Sequence, residues 1–270
     1  MIYELHGTIA LATSSITERR FVSKDKFLQW AHKNGPFVGL DDALLDLGNA
    51  ISIDDSTFGA YESALALRQA DIPVTMFINM YNIIYKKDYF FHQLNSLLSK
   101  HFAIENIDDF IDQNSIRNQF KQKLLLCKTE SDIEYELREL CVSKNLEFDE
   151  ILSSIVSHAR IISLENCREL IGEGVRLGNH FYQHINPFLL NKEEYENSVT
   201  LNAYLLKQYF DVEIKDCAIP FGKMSGLRKD LLGFAGYNWY LSDKAQHFGL
   251  LEKNVFNRIS IDDDSDLLTS

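Results

Sequence analysis

The feature that most constrains the fold is an alternation between short apolar runs and helical patterns. The apolar run at 50–53 (AISI) is followed by a helical pattern at 60–70 and by a strand candidate at 73–79 (PVTMFIN). The alternation resumes later with a helix at 163–172 and a strand at 175–177. This rhythm is typical of βαβ units, in which helices cover a parallel sheet. We therefore predict an α/β fold with parallel strands.

The pattern extends toward both ends of the chain. We expect an opening strand at 2–11, a helix at 23–33 and a short strand at 37–40. Later elements are expected as a helix at 192–208 and as strands at 217–219, 239–241 and 256–261.

The middle of the chain interrupts the alternation. From about residue 80 to 160 helical patterns such as HQLNSLLSKHF dominate, and few strand signals occur. The stretch is too long for a structureless loop in a compact domain. We interpret it as a helical insertion at about 81–160 within a single domain that covers 1–270, because α/β barrels of about 250 residues fold as one unit.

Composition limits the classes of partner. The net charge of −12 would repel a phosphate backbone, so nucleic acid is not an expected partner. No run approaches the roughly 18 apolar residues that a membrane helix needs. The first apolar stretch lacks the basic residues of a signal peptide, which predicts a cytoplasmic protein. The sequence leaves the oligomeric state open.

Two adjacent acids follow the apolar run at 50–53. Asp54 and Asp55 would lie at the carboxyl end of a parallel strand, where catalytic groups gather. Adjacent side chains there point in different directions, so one carboxylate could bind a metal while the other faces a substrate. Taken alone, the pair could equally cap the helix at 60–70.

Two further segments also follow predicted strands. His180 and His184 have the spacing that puts both imidazoles on one face of a helical turn, close enough to share an ion, although chance also produces this spacing. Pro220 and Gly222 predict a turn whose backbone N–H groups could face a cleft, or simply an ordinary turn.

Together these segments indicate a metal site. One carboxylate with two imidazoles is a ligand set for Zn²⁺, Fe²⁺ or Co²⁺ that leaves positions open for water. The second carboxylate would supply a base. A bound cation lowers the pKa of its water and polarises a carbonyl, which suits the hydrolysis of an amide or ester.

At these residues the sequence resembles the polysaccharide deacetylases with the NodB-like homology domain, carbohydrate esterase family 4. ISIDDS resembles the family's T-F-D-D-G motif, HFYQH its H-[S/T]-x-x-H motif, and AIPFG its R-x-P-Y-G motif. GYNWYLSD resembles the segment that carries the fourth motif. The resemblance covers about 1–80 and 163–261, and only the helical insertion lacks a counterpart.

The resemblance implies a distorted (β/α)-barrel of about seven strands and a role for each matched residue. Asp54 would be the general base, and the Phe221 backbone N–H would help hold the oxyanion. Asp55, His180 and His184 would bind a divalent metal, Zn²⁺ first, with Co²⁺, Ni²⁺ or Fe²⁺ as alternatives. Pro220 and Trp239 would contact the substrate.

Four departures from the family's motifs affect its chemistry. Ser56 replaces a glycine of the first motif, and Phe221 replaces a tyrosine of the third. Ala218 replaces the third-motif arginine, the usual partner of the base. The closing strand at 256–261 lacks the fifth-motif histidine that acts as general acid.

Three residues bear on these gaps. His247 is a candidate acid by proximity in the sequence. Arg258, in the closing strand, is either a structural ion pair or part of the site. His6 is assigned, with most other histidines, to the surface or to satisfied positions.

The sequence thus predicts a metal-dependent hydrolase that removes an N-acetyl group from a sugar or oligosaccharide, acting on a C–N bond other than a peptide bond. Two alternatives stay open. The chain could be a non-catalytic sugar- or metal-binding protein on the same scaffold, since motif side chains are missing. It could also be an amidohydrolase for a non-sugar amide, with the insertion reshaping the cleft.

Overall fold

The computed structural model describes residues 1–9, 21–101, 107–231, 234–244 and 247–261. Its strands are β1 (Ile2–Leu5), β2 (Thr8–Ile9), β3 (Val22–Ser23), β4 (Ala50–Asp54), β5 (Val74–Ile78), β6 (Arg176–Asn179), β7 (Asp216–Ala218), β8 (Asn238–Leu241), β9 (Gly249–Glu252), β10 (Val255–Asn257) and β11 (Ile259–Ser260). Its helices are α1 (Lys24–Asn34), α2 (Leu40–Leu44), α3 (Phe58–Gln69), α4 (Met80–Tyr85), α5 (Phe90–His101), α6 (Ile107–Leu124), α7 (Glu130–Ser143), α8 (Phe148–Ser153), α9 (Leu164–Gly172) and α10 (Lys192–Phe210).

The main sheet closes on itself. Its strand order is β11-β1-β4-β5-β6-β7-β8-β10-β9, and every pair in it is parallel except β9 with β10. Only Arg258 separates β10, which pairs with β8, from β11, which pairs with β1. The chain at 255–260 therefore joins the two ends of the sheet and completes a barrel of seven parallel strand positions. The predicted (β/α)7-type barrel is confirmed.

Alternate residues of the strands face the barrel interior and the surrounding helices. Ile2, Ala50, Phe77, Ala218 and Tyr240, from five different strands, share one buried cluster. Their strand neighbours belong instead to two other clusters, which contain residues of the longer helices around the barrel. The period of two follows from the pleat of a β-strand.

A large side chain fills the barrel interior at the point where the adjacent strand has a glycine. A Cβ atom added at Gly178 would overlap the ring of Phe77 on the adjacent strand. Glycine is therefore needed at this position of β6 so that the aromatic ring can fill the barrel.

Helices α4 to α9 occupy the chain between β5 and β6, as expected for the stretch at 81–160. Leu97 of α5 and Leu137 of α7 share a buried cluster with Cys217 and Trp239 of the barrel. These helices thus share one apolar core with the strands. That 1–270 forms one domain with an insertion stays a prediction.

Most predicted elements appear within a few residues of their expected bounds. The strand predicted at 37–40 is wrong, because Phe37 makes only an isolated bridge to Asn49 and α2 already begins at Leu40. The predicted opening strand ends at Leu5, and positions 10–11 of that prediction lie outside the described residues. Within the described ranges, no helix combines the length and apolar character required to cross a membrane.

Candidate functional site

A cavity of about 200 Å³ opens at the carboxyl ends of the barrel strands. Asp54 ends β4 and His180 directly follows β6, so parallel pairing brings both to the same edge of the sheet. The cavity is lined by Glu4, His6, Asp54, His180, His184, Phe221, Gly222, Ser242, Lys244 and Ser260.

The three predicted metal ligands lie together beside this cavity. Asp55 Oδ1 lies 3.2 Å from Nε2 of His184 and 3.6 Å from Nε2 of His180. All three residues are at most 2% exposed. Their ligand atoms fall within 4.8 Å of one another, close enough to share one ion.

Left-handed backbone conformations direct these side chains to one point. A regular strand would turn Asp55 away from Asp54, but Asp55 has φ 72°. The helical turn predicted for His180 to His184 is wrong, because the segment is a loop in which Phe181 has φ 63°. Phenylalanine rarely adopts this conformation, and functional sites are among the places where such strain persists.

A hydrogen-bond network holds the loops in place. The Asn79 side chain donates to the carbonyl oxygens of His180 and Phe181. The Tyr89 hydroxyl donates to Asn79 Oδ1 at 2.7 Å and accepts from Ser56 N at 2.8 Å. One asparagine and one tyrosine thus connect the loops after β4, β5 and β6.

The start of the helical segment also packs around His184. The rings of Tyr89 and Phe91 lie 4.9 and 5.7 Å from the imidazole, and the ring of Phe221 lies 4.8 Å from it. The segment between β5 and β6 therefore helps to enclose the ligand cluster.

The hydrogen bond of His180 fixes which ring nitrogen carries the proton. Nδ1 lies 2.9 Å from the carbonyl oxygen of Ala218, which can only accept. A neutral His180 therefore has its proton on Nδ1 and a lone pair on Nε2, the atom that faces Asp55. This is the tautomer that metal-binding histidines adopt when their second nitrogen is held by a backbone carbonyl.

The donor set fits a divalent cation. Asp55 Oδ1 is buried and receives no hydrogen bond from the described residues. A buried carboxylate oxygen that faces an imidazole lone pair is electrostatically unsatisfied. One carboxylate and two imidazoles are a ligand set that Zn²⁺, Co²⁺ and Fe²⁺ accept.

A proton is the other species that can satisfy this cluster. Burial acts to lower the pKa of His180, but the carboxylates of Asp54 and Asp55 outweigh it and raise that pKa. Protons and a cation therefore compete for the same imidazole.

Asp54 is held by Arg258 from the closing strand. The guanidinium donates to both carboxylate oxygens, at 2.7 and 2.6 Å, and also to Glu4 at 3.0 Å and Ser52 at 3.0 Å. Burial acts to raise the pKa of Asp54, but the Arg258 charge and hydrogen bonds bring that pKa below its ordinary value. Of the two alternatives left open for Arg258, the structure shows a buried ion pair that is itself part of the site.

Arg258 is thus the arginine partner of Asp54. The resemblance leads one to expect that partner at position 218, which is alanine. The guanidinium reaches Asp54 from a strand more than 200 positions away in sequence. Its sequence signal is the alternation of the closing strand, which turns Phe256, Arg258 and Ser260 to the same side.

His6 lines the cavity, and the sequence analysis missed it. The imidazole is half-buried, with Nε2 3.9 Å from Glu4 Oε1. His6 lies one residue beyond β1 and two residues after Glu4, so alternation would turn both to one side, but only the pairing of β1 with β4 shows that this side meets the cavity. His247, the acid candidate from sequence, is exposed and is not among the residues that line the cavity.

The remaining predicted residues fall in three different environments. Phe221 lines the cavity in a left-handed conformation, φ 66°, within a turn closed by Gly222 N donating to Ile219 O at 2.9 Å. Pro220 lines an adjoining groove that Phe221 shares. Trp239 is 0% exposed and packs near Tyr195 and Tyr237. The expected substrate contact of Trp239 is therefore corrected: the indole belongs to the core around the barrel.

A second cavity of about 240 Å³ lies beside α4 and α7. Its charged side chains are largely paired, with Lys87 2.7 Å from Glu134 and Arg160 2.9 Å from Asp88. Among the described residues, the ligand-type clusters are at the barrel mouth and not in this second cavity. The barrel mouth is the better candidate for chemistry.

No family model matches the sequence, and no curated protein matches it either. Solved structures do match. The Streptococcus pyogenes deacetylase PplD, in complex with acetate, aligns with a TM-score of 0.60 and 13% identity over 97% of this chain and 92% of that chain. IcaB from Ammonifex degensii aligns with a TM-score of 0.54 and 14% identity over 96% and 90%.

A de-N-acetylase from Aggregatibacter actinomycetemcomitans aligns with a TM-score of 0.55 and 12% identity over 98% of this chain and 95% of that chain. The alignments cover nearly the whole of each chain, including the helices between β5 and β6. Likeness at this level of identity establishes the fold. The chain has the NodB-like (β/α)-barrel fold of the polysaccharide deacetylases.

Proposed function

We propose that this chain is a metal-dependent deacetylase that hydrolyses the N-acetyl group of a saccharide to a free amine and acetate. The observation that carries the proposal is the buried cluster of Asp55, His180 and His184 directly beside a second, separately held carboxylate, Asp54. The neighbours in fold are described as deacetylases, and one of them binds acetate.

Each part of the cluster has a role in such a reaction. Asp55, His180 and His184 would hold the cation, with Zn²⁺ first among Zn²⁺, Co²⁺, Ni²⁺ and Fe²⁺. When bound, a cation of this kind lowers the pKa of water and polarises a carbonyl oxygen. Asp54 would take the proton of the attacking water, since its carboxylate lines the cavity and stays ionised beside Arg258.

The geometry around Asp54 suits a base that must not move. Arg258 binds both of its oxygens in a bidentate arrangement, and each carboxylate oxygen keeps a second lone pair for a proton. The Phe221 backbone N–H would stabilise the oxyanion from the turn after β7, as a preorganised donor.

The adjacent acids allow a matched test. We would measure bound metal and acetate release from chitooligosaccharides for the wild type, Asp54→Asn and Asp55→Asn. We expect about one equivalent of metal in the wild type and in Asp54→Asn, with turnover in Asp54→Asn reduced by about 10²–10⁴-fold. Asp55→Asn should lose both metal and turnover.

Two outcomes would contradict the proposal. A wild type that binds no metal after reconstitution with Zn²⁺ or Co²⁺ would remove the mechanism. Full turnover in Asp54→Asn would remove the base. Metal without acetate release in the wild type would instead favour a binding protein or an amidohydrolase for a non-sugar amide.

A further inference from the structure

We propose that His6 is the general acid of this site, the residue that protonates the leaving nitrogen. The inference rests on the proposed deacetylase function and adds a catalytic residue to it. Hydrolysis of an amide needs a proton donor for the amine. The closing strand has Asn257 and Arg258 and no histidine, so the donor must come from another element.

The barrel places His6 beside the base. Strand β1 lies between β11 and β4, with Leu5 in register with Ile53, so His6 comes level with Asp54 as the two strands end. The ligand atoms of Glu4, His6 and Asp54 all lie within 4.8 Å of one another. A base and an acid at this separation can serve the same reaction, because the attacking water and the leaving nitrogen share one carbon atom.

His6 also faces the space that a substrate would enter. It lines the same cavity as His180 and His184, and it is half-buried, so the ring is accessible from the cavity. Among the described residues that line this cavity, His6 is the imidazole outside the metal cluster.

The contacts of Glu4 support a proton donor here and exclude a second metal. Glu4, His6 and Asp54 are all ligand types, but Arg258 donates to both carboxylates, at 3.0 Å to Glu4 and 2.6 Å to Asp54. A divalent cation among them would face the buried guanidinium. The Glu4 carboxylate instead lies 3.9 Å from His6 Nε2, on the same side of the cavity as Asp54.

The step balances with the groups present. The water oxygen bonds to the acetyl carbon, the carbonyl π pair moves onto the carbonyl oxygen, and one water proton passes to Asp54. That pair then re-forms the carbonyl as the carbon–nitrogen bond breaks, and nitrogen keeps the bonding pair and takes the proton of His6. Amine and acetic acid leave, the acid loses the second water proton to solvent to give acetate, and the proton on Asp54 returns through solvent to His6.

Two substrates of different leaving group test this role. An N-acetyl chitooligosaccharide needs a proton on its leaving amine, whereas 4-nitrophenyl acetate releases a stable phenolate that does not. His6→Asn should reduce kcat/KM for the amide by about 10²-fold or more, and for the metal-dependent hydrolysis of the ester by less than about threefold. Asp54→Asn should reduce both, because water must be activated in both reactions.

Controls make each outcome decisive. His6→Asn should bind metal as the wild type does, which shows that the site is intact. Lys244 also lines the cavity, and its amine could donate a proton. Lys244→Met should leave the ratio of amide to ester hydrolysis unchanged.

Amide turnover in His6→Asn within about threefold of the wild type would overturn the inference, as would equal losses on both substrates. An amide-selective loss in Lys244→Met alone would move the role to Lys244. A wild type that hydrolyses the ester but no amide would overturn the proposed function itself.

Discussion

Two adjacent carboxylates in the barrel mouth have opposite electrostatic surroundings. Asp54 receives two short hydrogen bonds from Arg258, and a second carboxylate, Glu4, shares that guanidinium. Asp55 faces two imidazole nitrogens at 3.2 and 3.6 Å, and its Oδ1 receives no hydrogen bond from the described residues.

The difference separates a cluster that is complete from one that is not. The cation of the Arg258 cluster is part of the chain, so the orientation of Asp54 does not depend on any ligand. The cluster of Asp55, His180 and His184 has the donors but no cation of its own. A buried ion without a partner is destabilising by several kcal/mol. An added cation should therefore stabilise the cluster of Asp55, His180 and His184 more than the Arg258 cluster.

The largest expected effect comes from breaking the complete cluster. Arg258→Met would leave Glu4 and Asp54 buried without their cation, so we expect the free energy of unfolding to fall by about 3–5 kcal/mol. The measurement is urea unfolding in the presence of a chelator. Arg228→Met is the control, because Arg228 pairs with Asp230 at the surface and its loss should change stability little.

Equal stability of the two variants would contradict the view that Arg258 supplies the charge that the cluster needs. It would mean that protonation of Glu4 or Asp54 replaces the guanidinium at little cost. Repeating the measurement at higher pH would test this explanation. Once the carboxylates lose their protons, the difference in stability between Arg258→Met and Arg228→Met should return.

The barrel was largely predictable because its signals are local. The run at 50–53, the helix at 60–70 and the strand at 73–79 correspond to β4, α3 and β5, and each is recognised from neighbouring residues. The cluster of Asp55, His180 and His184 was predictable for a related reason. Parallel strands end at the same edge, so residues that follow them meet even when they are far apart in sequence.

The rest of the site depends on contacts that no local pattern encodes. Arg258 reaches Asp54 and Glu4 only because 255–260 closes the barrel, and the sequence alone did not fix that closure. His6 was missed for the same reason: β1 had to be placed beside β4 before its histidine could be assigned to the cavity. Trp239 was misassigned because a strand has two faces, and Trp239 lies on the face that packs in the core around the barrel.

The second prediction concerns the addition of a cation to the cluster of Asp55, His180 and His184. Zn²⁺ at about 100 times its dissociation constant should raise the free energy of unfolding of the wild type by about 2.7 kcal/mol. Asp54→Asn should show the same increase, because Asp54 belongs to the Arg258 cluster. Asp55→Asn should show little increase. Stabilisation of Asp55→Asn equal to that of the wild type would place the cation elsewhere.

The smallest expected effect compares one substitution in each cluster without metal. Glu4→Gln removes a charge that Arg258 uses, so it should destabilise the chelated protein by about 1–3 kcal/mol. Above the pH at which His180 loses its proton, Asp55→Asn should be neutral or slightly stabilising, because the amide can donate to the Nε2 lone pair of His180, which the carboxylate repels.

Each substitution replaces one carboxylate oxygen by an amide nitrogen, so the two match in size and differ only in cluster. Equal destabilisation would contradict the comparison, since it would mean that Asp55 is already satisfied without a cation. If Asp55→Asn is as stable as the wild type or more stable, the Asp55 carboxylate does not stabilise the metal-free protein. This is expected of a carboxylate arranged to bind an exchangeable cation.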